Sequence, residues 1–187
     1  MGRTSTARER LLDAACALML SRGYGTIGVA EICARAEVKK GSFYHFFESK
    51  QALTVEAVNA HWAAQRPAWT AALSAPDTAG EDRLRRLFED QAAAQHAAKA
   101  EHGFVNGCLF GNLALELSGR DEVIQARLAE IFDEQIDLVH AALPDHGRDT
   151  ARAVLAQLEG MVLFAKLAGD PGLLDNLWDR TAPLLAR

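Results

Sequence analysis

The chain has 187 residues, of which 49% are hydrophobic and 24% charged, and its formal net charge is −5. This length and apolar content predict one or two domains with a packed core. The three cysteines, Cys16, Cys33 and Cys108, are too few for a disulfide framework or a zinc ribbon, which indicates a reducing cytoplasm. No apolar run approaches the roughly 20 residues that cross a bilayer, so we expect no membrane partner.

The acidic net charge hides an uneven distribution along the chain. Residues 1–50 carry eight Lys and Arg against five Asp and Glu, a balance of +3, whereas the rest of the chain carries 12 against 20, a balance of −8. Local charge, rather than total charge, decides whether a surface can displace counterions from phosphates. The basic N-terminal end is therefore compatible with nucleic-acid binding.

Helical periodicity accounts for the first 73 residues. Apolar rows with a spacing of about 3.6 residues predict a first helix that ends near Gly23, and a second helix with one buried face follows. A short third helix comes next, and Ser49 is a good N-cap for a long fourth helix in which Pro67 should cause a kink or an interruption. The predicted helices cover residues 8–23, 29–36, 39–46 and 50–73.

The remaining residues read as five further helices separated by Gly, Pro and Asp. Their predicted ranges are 81–99, 106–118, 121–143, 149–168 and 172–186. No alternating strand pattern of useful length and no internal repeat is present. The prediction is an all-α fold of about nine helices, with a three-helix domain over 1–48 and an effector-binding and dimerisation body over 49–187.

The stretch VAEICARAEVKKGSFYHFFESKQAL, residues 29–53, has the layout of a helix-turn-helix, in which two short helices flank a tight break. The second of them meets the demands on a recognition helix, because Phe43 and Phe47 can pin it from behind while polar side chains project from the other side. Gly41 permits a close approach of the backbone to DNA. The projecting residues are Lys39, Lys40, Ser42, Tyr44 and His45, and Lys50 follows in the first turn of the next helix.

The segment YGTIGVAEICARAEVKKGSFYHFFESKQAL resembles the N-terminal domain of the TetR family of bacterial transcriptional repressors. The resemblance implies a homodimer with an N-terminal reader of DNA, a variable ligand-binding body and a dimer interface formed by the last two long helices. Gly28 and Glu37 depart from the family pattern, which more often has Ser or Thr at the first position and Gly at the second. By resemblance, phosphate contacts fall to Thr26, Lys39, Ser42, Tyr44 and Lys50, and base or backbone contacts to Lys40 and His45.

The stretch NGCLFGNLALEL, residues 106–117, is the most distinctive pattern in the predicted body. Cys108, Asn112 and Glu116 follow one another at four-residue intervals and form a polar stripe on an otherwise apolar helix. If Asn106 is the N-cap, Cys108 lies in the first turn, where the helix dipole stabilises a thiolate. The alternative is a small, inert cysteine that packs in the core or lines a pocket.

The tripeptide GCL and a lysine in GMVLFAKL resemble the electrophile- and oxidant-sensing branch of the family, typified by the N-ethylmaleimide-responsive repressors. Cys108 and Lys166 are the matching positions. An ammonium near a thiol favours the nucleophilic thiolate. Reversible binding of a small apolar effector is the competing hypothesis, with candidate lining residues Trp62, Phe104, Phe110 and Phe164.

Two apolar rows in the last two predicted helices indicate a seam between protomers. One consists of Val154, Leu158, Met161 and Ala165, and the other of Leu173, Leu177, Trp178 and Leu184. Burial of both rows within one chain is the alternative.

The sequence thus predicts a cytoplasmic, DNA-binding transcriptional regulator, a homodimeric repressor released from a palindromic double-stranded operator by a small-molecule inducer. A thiol-based sensor that acts through Cys108 is the second hypothesis. An all-α enzyme is the third, but a carboxylate-bridged metal oxidase needs paired Glu-x-x-His motifs. The nearest match, Asp137 to His140, occurs once. We therefore expect no enzymatic activity, metal or cofactor.

Overall fold

The computed structural model describes residues 6–76 and 78–186, and every regular element in these ranges is a helix. The predicted all-α fold is confirmed. The described ranges also contain two short 3-10 helices, Pro171–Leu174 and Ala182–Leu185. The nine α-helices of these ranges are α1 (Ala7–Arg22), α2 (Val29–Arg35), α3 (Lys40–Phe46), α4 (Lys50–Leu73), α5 (Gly80–His102), α6 (Leu109–Leu117), α7 (Glu122–Ala142), α8 (Arg148–Ala168) and α9 (Leu177–Thr181).

The chain forms two compact units whose boundaries differ from the predicted domains 1–48 and 49–187. One unit comprises Met1–Ala64 and Leu109–Ala129, and the other comprises Gln65–Cys108 and Glu130–Arg187. The first three helices therefore share a unit with the beginning of α4, because Leu53, Ala57 and Val58 of α4 are fully buried. Residues 1–5, 77 and 187 of the predicted domains lie outside the described residues.

Helix α1 begins with a capping box that its sequence encodes locally. The Thr6 side chain accepts a hydrogen bond from the Glu9 N–H at 3.2 Å, and the Glu9 carboxylate accepts one from the Thr6 N–H at 2.7 Å. These bonds satisfy two of the backbone donors that every helix start leaves without a partner. Leu11, Ala15 and Met19 of this helix are each 0–1% exposed and belong to the core of the first unit.

Helix α4 continues through Pro67, where the sequence predicted a kink or an interruption. Proline removes one backbone N–H, so the carbonyl of Ala63 loses its helical donor. Both Ala63 and Pro67 are exposed, and solvent can therefore satisfy that carbonyl. The helix extends from Lys50 to Leu73, the range predicted from its periodicity.

The C-terminal segment is not the single helix over 172–186 that the sequence predicted. It contains a 3-10 helix, the five-residue helix α9 and a second 3-10 helix. Asn176 has a φ of +54°, a left-handed conformation that ends one helical segment before the next begins. Pro183 then occupies the first turn of the last 3-10 helix, where its missing N–H costs nothing.

The second unit is built on α5, α8 and this C-terminal segment. Leu84 and Phe88 of α5 are buried, and the Phe88 ring meets Trp178 edge-on with 5.4 Å between ring centroids. Gly80 begins α5 where a Cβ would lie 2.0 Å from the Ala142 carbonyl oxygen. Across the described residues, no helix combines the length and apolar character that a membrane-spanning segment needs.

Candidate DNA-binding surface and thiol segment

Helix α3 turns its aromatic anchors to the core and its polar residues to solvent. Phe43 and Phe47 are 0% and 2% exposed, with 5.8 Å between their ring centroids. Tyr44 is 55% exposed, and its ring contacts Phe43 edge-on. The other predicted contact residues of this face are exposed as well: Lys39, Lys40, Ser42 and His45. The orientation that the sequence predicts is therefore the one observed, and contact with DNA stays a prediction.

The turn between α2 and α3 fixes the direction of α3. Ile32, Cys33 and Ala36 are buried, and the Val38 N–H donates to the Cys33 carbonyl at 3.0 Å. Glu37 adopts a φ of +53°, which a residue with a side chain occupies only at a cost. Glu37, which stands where the family more often has glycine, thus occupies a left-handed position. The chain tolerates this backbone strain in the turn between α2 and α3.

Thr26 and Lys50 contact the connector between α1 and α2, residues 23–28. The Thr26 hydroxyl is exposed and donates to the Arg22 carbonyl at 2.7 Å. The Lys50 ammonium donates to the carbonyls of Tyr24 and Ile27, each at 3.0 Å, and lies 3.8 Å from the Tyr24 ring centroid. Burial lowers the pKa of Lys50. Lys50 therefore holds the connector, and its contact with phosphate stays a prediction.

Glu116, predicted as part of a sensor stripe, also binds the connector. Its carboxylate accepts hydrogen bonds from the Tyr24 N–H at 2.8 Å and from the Gly25 N–H at 2.6 Å. A Cβ on Gly23 or Gly25 would lie 3.0 or 2.9 Å from the same carboxylate, so both positions are sterically matched to it. Glu116 lies two helical turns beyond Cys108, near the end of α6, and meets a loop that is distant in sequence. Its role in sensing stays a prediction.

Polar contacts also join α4 to the start of α7 and to α7 itself. The Gln51 carboxamide donates to both carboxylate oxygens of Asp121, at 3.0 and 2.9 Å, and Asp121 also accepts from the Ile124 N–H at 3.0 Å at the start of α7. Arg127 of α7 donates to Asn59 of α4. These partners are about 70 residues apart in the sequence, and nothing in the local pattern identifies them.

The aromatic residues predicted to line an effector cavity have different surroundings. Trp62 and Phe110 are 2% and 1% exposed and meet edge-on, with centroids 6.3 Å apart, and the half-buried His61 contacts Phe110 at 5.5 Å. Burial lowers the pKa of His61. Phe104 and Phe164 are 39% and 56% exposed, and their role in lining an effector pocket stays a prediction. Asn112 is half-buried on α6.

The thiol segment, residues 103–108, connects α5 to α6. Cys108 is half-buried and immediately precedes the first residue of α6, whereas the sequence predicted it two residues further on, inside the first turn. The buried carboxamide of Gln95 accepts from the Gly107 N–H at 3.0 Å and donates to the Gly107 carbonyl at 3.2 Å. The Lys166 ammonium donates to the Asn106 carbonyl at 3.0 Å. Side chains of α5 and α8 thus hold the backbone of the two residues before Cys108.

A carboxyl group that the sequence analysis missed completes this environment. Glu159, on α8, accepts a hydrogen bond from the Cys108 thiol, and Lys166 interacts electrostatically with the same thiol. Glu159 precedes Lys166 by seven residues, about two helical turns, and its place in the apolar run LEGMVLFAKL is the feature that would have revealed it. No group of three or more His, Cys, Asp or Glu suited to a metal ion occurs among the described residues.

Most residues predicted for the dimer interface belong to the core of one chain. The buried ones, at 0–2% exposure, are Val154, Leu158, Ala165, Leu177 and Trp178. Their burial fits the alternative, in which both rows pack within one chain, and the interface itself stays a prediction. Met161 and Leu173 are half-buried, and Leu184 is 46% exposed.

Comparison with known proteins agrees with this architecture. Residues 11–57 match the family described as bacterial regulatory proteins, tetR family, and residues 82–179 match the C-terminal domain of the LmrA/YxaF-like transcriptional regulators. The chain is 30% identical to the reduced form of NemR from E. coli in a crystal structure, with a TM-score of 0.82 and 94% of each chain covered.

Curated relatives include two repressors. NemR of Escherichia coli K12 is 36% identical over 115 residues, which are 62% of this chain and 56% of that protein. DhaR of Mycobacterium sp. GP1 is 33% identical over 125 residues, 67% of this chain and 59% of that protein. Each match spans little more than half the length of the relative. Since one matched domain alone covers more than half of the chain, the protein belongs to the tetR family of bacterial regulatory proteins.

Proposed function

We propose that the protein is a DNA-binding transcriptional repressor that acts in the cytoplasm as a homodimer and leaves its operator in response to a small-molecule effector. The observation that carries the proposal is the outward face of α3. Two lysines, a serine, a tyrosine and a histidine are exposed there above two buried phenylalanines. Such a face supplies donors for phosphates and for base edges in the major groove.

Two copies of α3 would read two half-sites. A dimer with twofold symmetry matches a palindromic operator, whose half-sites lie about 34–36 Å apart when adjacent grooves are used. Because the contacts include cationic side chains, affinity should fall steeply as salt displaces them from phosphate.

Gel-shift with genomic fragments at low and at high salt tests this function. We expect a discrete, salt-sensitive complex that the protein forms with a small subset of fragments. Absence of salt-sensitive DNA binding would contradict the repressor assignment.

An exposed apolar face on α8 supports dimerisation. Leu163, Phe164 and Leu167 are 45%, 56% and 80% exposed, and a Cβ on Gly160 would meet nothing within 4 Å. These residues recur at three- and four-residue intervals, so they share one side of the helix. A contiguous apolar strip beside a glycine is suited to close packing against a second copy of itself.

Light scattering of a Phe164→Glu variant tests this seam. A charge at its centre would be buried against apolar side chains, so we expect a monomer at micromolar concentration. Leu115→Glu is the matched control, because Leu115 is 73% exposed on α6 and the variant should remain dimeric. A dimeric Phe164→Glu protein would place the interface elsewhere.

The effector response is assigned to α6. The thiol segment leads directly into this helix, and Glu116 near its other end holds the backbone of the connector. A change at the beginning of α6 is therefore passed along one rigid helix to the elements that support α3. The effector alters operator affinity only to the extent that it favours one arrangement over the other.

A covalent effector is the second candidate function, and the placement of Cys108 favours it. The thiol lies between a carboxyl and an ammonium group in a segment whose backbone is fixed by Gln95 and Lys166. For Cys16, in contrast, burial raises the pKa to about 12, which disfavours the reactive thiolate. Intact mass after mild electrophile treatment, with the modified cysteine mapped, separates covalent from reversible sensing.

A further inference from the structure

Opposite charges flank the Cys108 thiol. Glu159 and Lys166 lie on one side of α8, about two turns apart, and both interact with Cys108. Lys166 is anchored by its hydrogen bond to the Asn106 carbonyl, so its position relative to the segment is fixed. A cation beside a thiol favours the thiolate, and an anion beside it disfavours the thiolate.

Helix α5 meets the thiol segment at Gly107 and at Phe104. The Gln95 carboxamide, which does not titrate, holds Gly107, and the His102 ring lies 6.0 Å from the Phe104 ring, measured between centroids. The charged and titratable residues of the last turn of α5, Lys99, Glu101 and His102, are exposed. Glu159 and Lys166, both on α8, are charged groups that interact with the thiol.

We propose that Glu159 restrains the reactivity of Cys108: its carboxylate holds the thiol proton through a hydrogen bond and opposes formation of the nucleophilic thiolate, against the pull of Lys166. This inference rests on the proposed role of Cys108 as the point of covalent sensing. It adds a residue that sets the threshold at which electrophiles are detected, so that the repressor ignores weak electrophiles and responds to strong ones.

The reaction that Glu159 restrains is addition to an activated alkene. The Cys108 sulfur forms a bond to one alkene carbon of an α,β-unsaturated carbonyl, the C=C π bond breaks, and the resulting enolate takes a proton from water. The thiol proton passes to solvent. The net change is addition of S–H across C=C, which requires no oxidant or reductant.

The restraint depends on pH in a defined direction. Burial raises the pKa of Glu159 to about 7, and the hydrogen bond from Cys108 acts in the opposite sense. At lower pH the carboxyl is neutral and does not repel a thiolate. At higher pH it is an anion, and the pair shares one proton over a range in which a lone thiol would continue to ionise.

The rate of Cys108 alkylation by N-ethylmaleimide tests the proposal. Wild type and Glu159→Gln are treated for short times, quenched and digested, so that peptide mass spectrometry scores Cys108 separately from Cys16 and Cys33. At about pH 6 the two proteins should react equally fast. At about pH 8 the variant should react faster, by up to about tenfold, because each pH unit above the carboxyl pKa adds up to a factor of ten.

Asp149→Asn is the matched control. It removes one negative charge from the same helix, but its side chain is 93% exposed and it pairs with Arg152. Its alkylation rate should equal that of wild type at both pH values. Lys166→Met should react more slowly than wild type, since it removes the group that favours the thiolate.

Two results would overturn the proposal. One is a Glu159→Gln rate at about pH 8 that is equal to or below wild type. The other is the same rate ratio at both pH values, which indicates altered access rather than charge. Failure of the thiol-sensing function would look different. The alkylated protein would still bind operator DNA, while Glu159→Gln would still be alkylated faster than wild type at about pH 8.

Discussion

The face of α3 and the thiol segment both depend on charged side chains, but they place them in opposite surroundings. On the α3 face Lys39 and Lys40 are exposed, whereas Phe43 and Phe47 are buried. Beside the thiol segment, Glu159 and Lys166 of α8 are partly withdrawn from water, and burial shifts the pKa of both toward the neutral form. A solvated cluster suits a polyanion that arrives from solvent, whereas desolvated charges tune the chemistry of one nearby atom.

The same contrast separates two kinds of sequence evidence. The α3 face is encoded within nine consecutive residues, since helical periodicity alone decides which side chains point outward. The thiol environment is assembled from α5, the segment before α6, and α8, over more than 70 residues of chain. Local patterns reveal the whole of the α3 face. They reveal only part of the thiol environment.

The largest expected effect is on the thiol side of this comparison. N-ethylmaleimide should no longer release Cys108→Ser from operator DNA, because a serine hydroxyl does not react with it at neutral pH. Operator affinity without electrophile should stay within about twofold of wild type, since the substitution lies outside the α3 face. Fluorescence anisotropy with labelled operator measures both.

Cys16→Ser is the control for that experiment. Burial raises the pKa of Cys16 to about 12, so its loss should leave the electrophile response intact. A Cys108→Ser protein that electrophiles still release would mean that this thiol only lines the segment.

A smaller effect is expected on the α3 side. Tyr44→Ala should weaken operator binding about tenfold, the effect of one lost hydrogen bond to a charged group, about 1.5 kcal/mol. The alkylation rate of Cys108 should not change, because Tyr44 is exposed. Phe43→Ala is an instructive contrast, since it removes a buried anchor and should lower thermal stability as well. Unchanged affinity in Tyr44→Ala would remove this residue from the DNA contact.

Glu116→Gln tests whether the two regions communicate. The amide places an N–H group where the carboxylate now accepts from Tyr24 or Gly25, so one of the two bonds is lost. With a loss of about 1 kcal/mol, the ratio of operator affinities before and after alkylation should fall about fivefold. Glu89→Gln, an exposed change of equal charge on α5, is the control. An unaltered ratio would show that communication bypasses this contact.

The smallest effect concerns the turn that supports α3. Glu37→Gly should raise the free energy of unfolding by about 0.5 kcal/mol, because the relief of a left-handed side chain exceeds the extra entropy of glycine in the unfolded state. Glu37→Ala keeps the strain and should bring no gain. Thermal denaturation of the two variants decides the sign, and a destabilised glycine variant would show that the Glu37 side chain makes a favourable contact of its own.

Several features of the fold were predictable because they depend on neighbouring residues. The range of α4 and the outward face of α3 follow from apolar spacing, and family membership follows from the segment around α3. The interruption expected at Pro67 was wrong because solvent exposure of Ala63 removes the penalty. The single C-terminal helix was wrong because Asn176 adopts a left-handed conformation that apolar spacing does not encode.

The sequence by itself determined an all-helical chain with a short basic helix held from behind by two phenylalanines, since both properties follow from periodicity along a few turns. Only the tertiary structure decided which apolar row stays exposed on α8, that Lys50 and Glu116 both hold the connector, and that Glu159 faces Cys108. Each of these depends on a partner many residues away. Packing chooses such partners by shape and by the cost of leaving a polar group unpaired, and the order of residues along one helix does not record that choice.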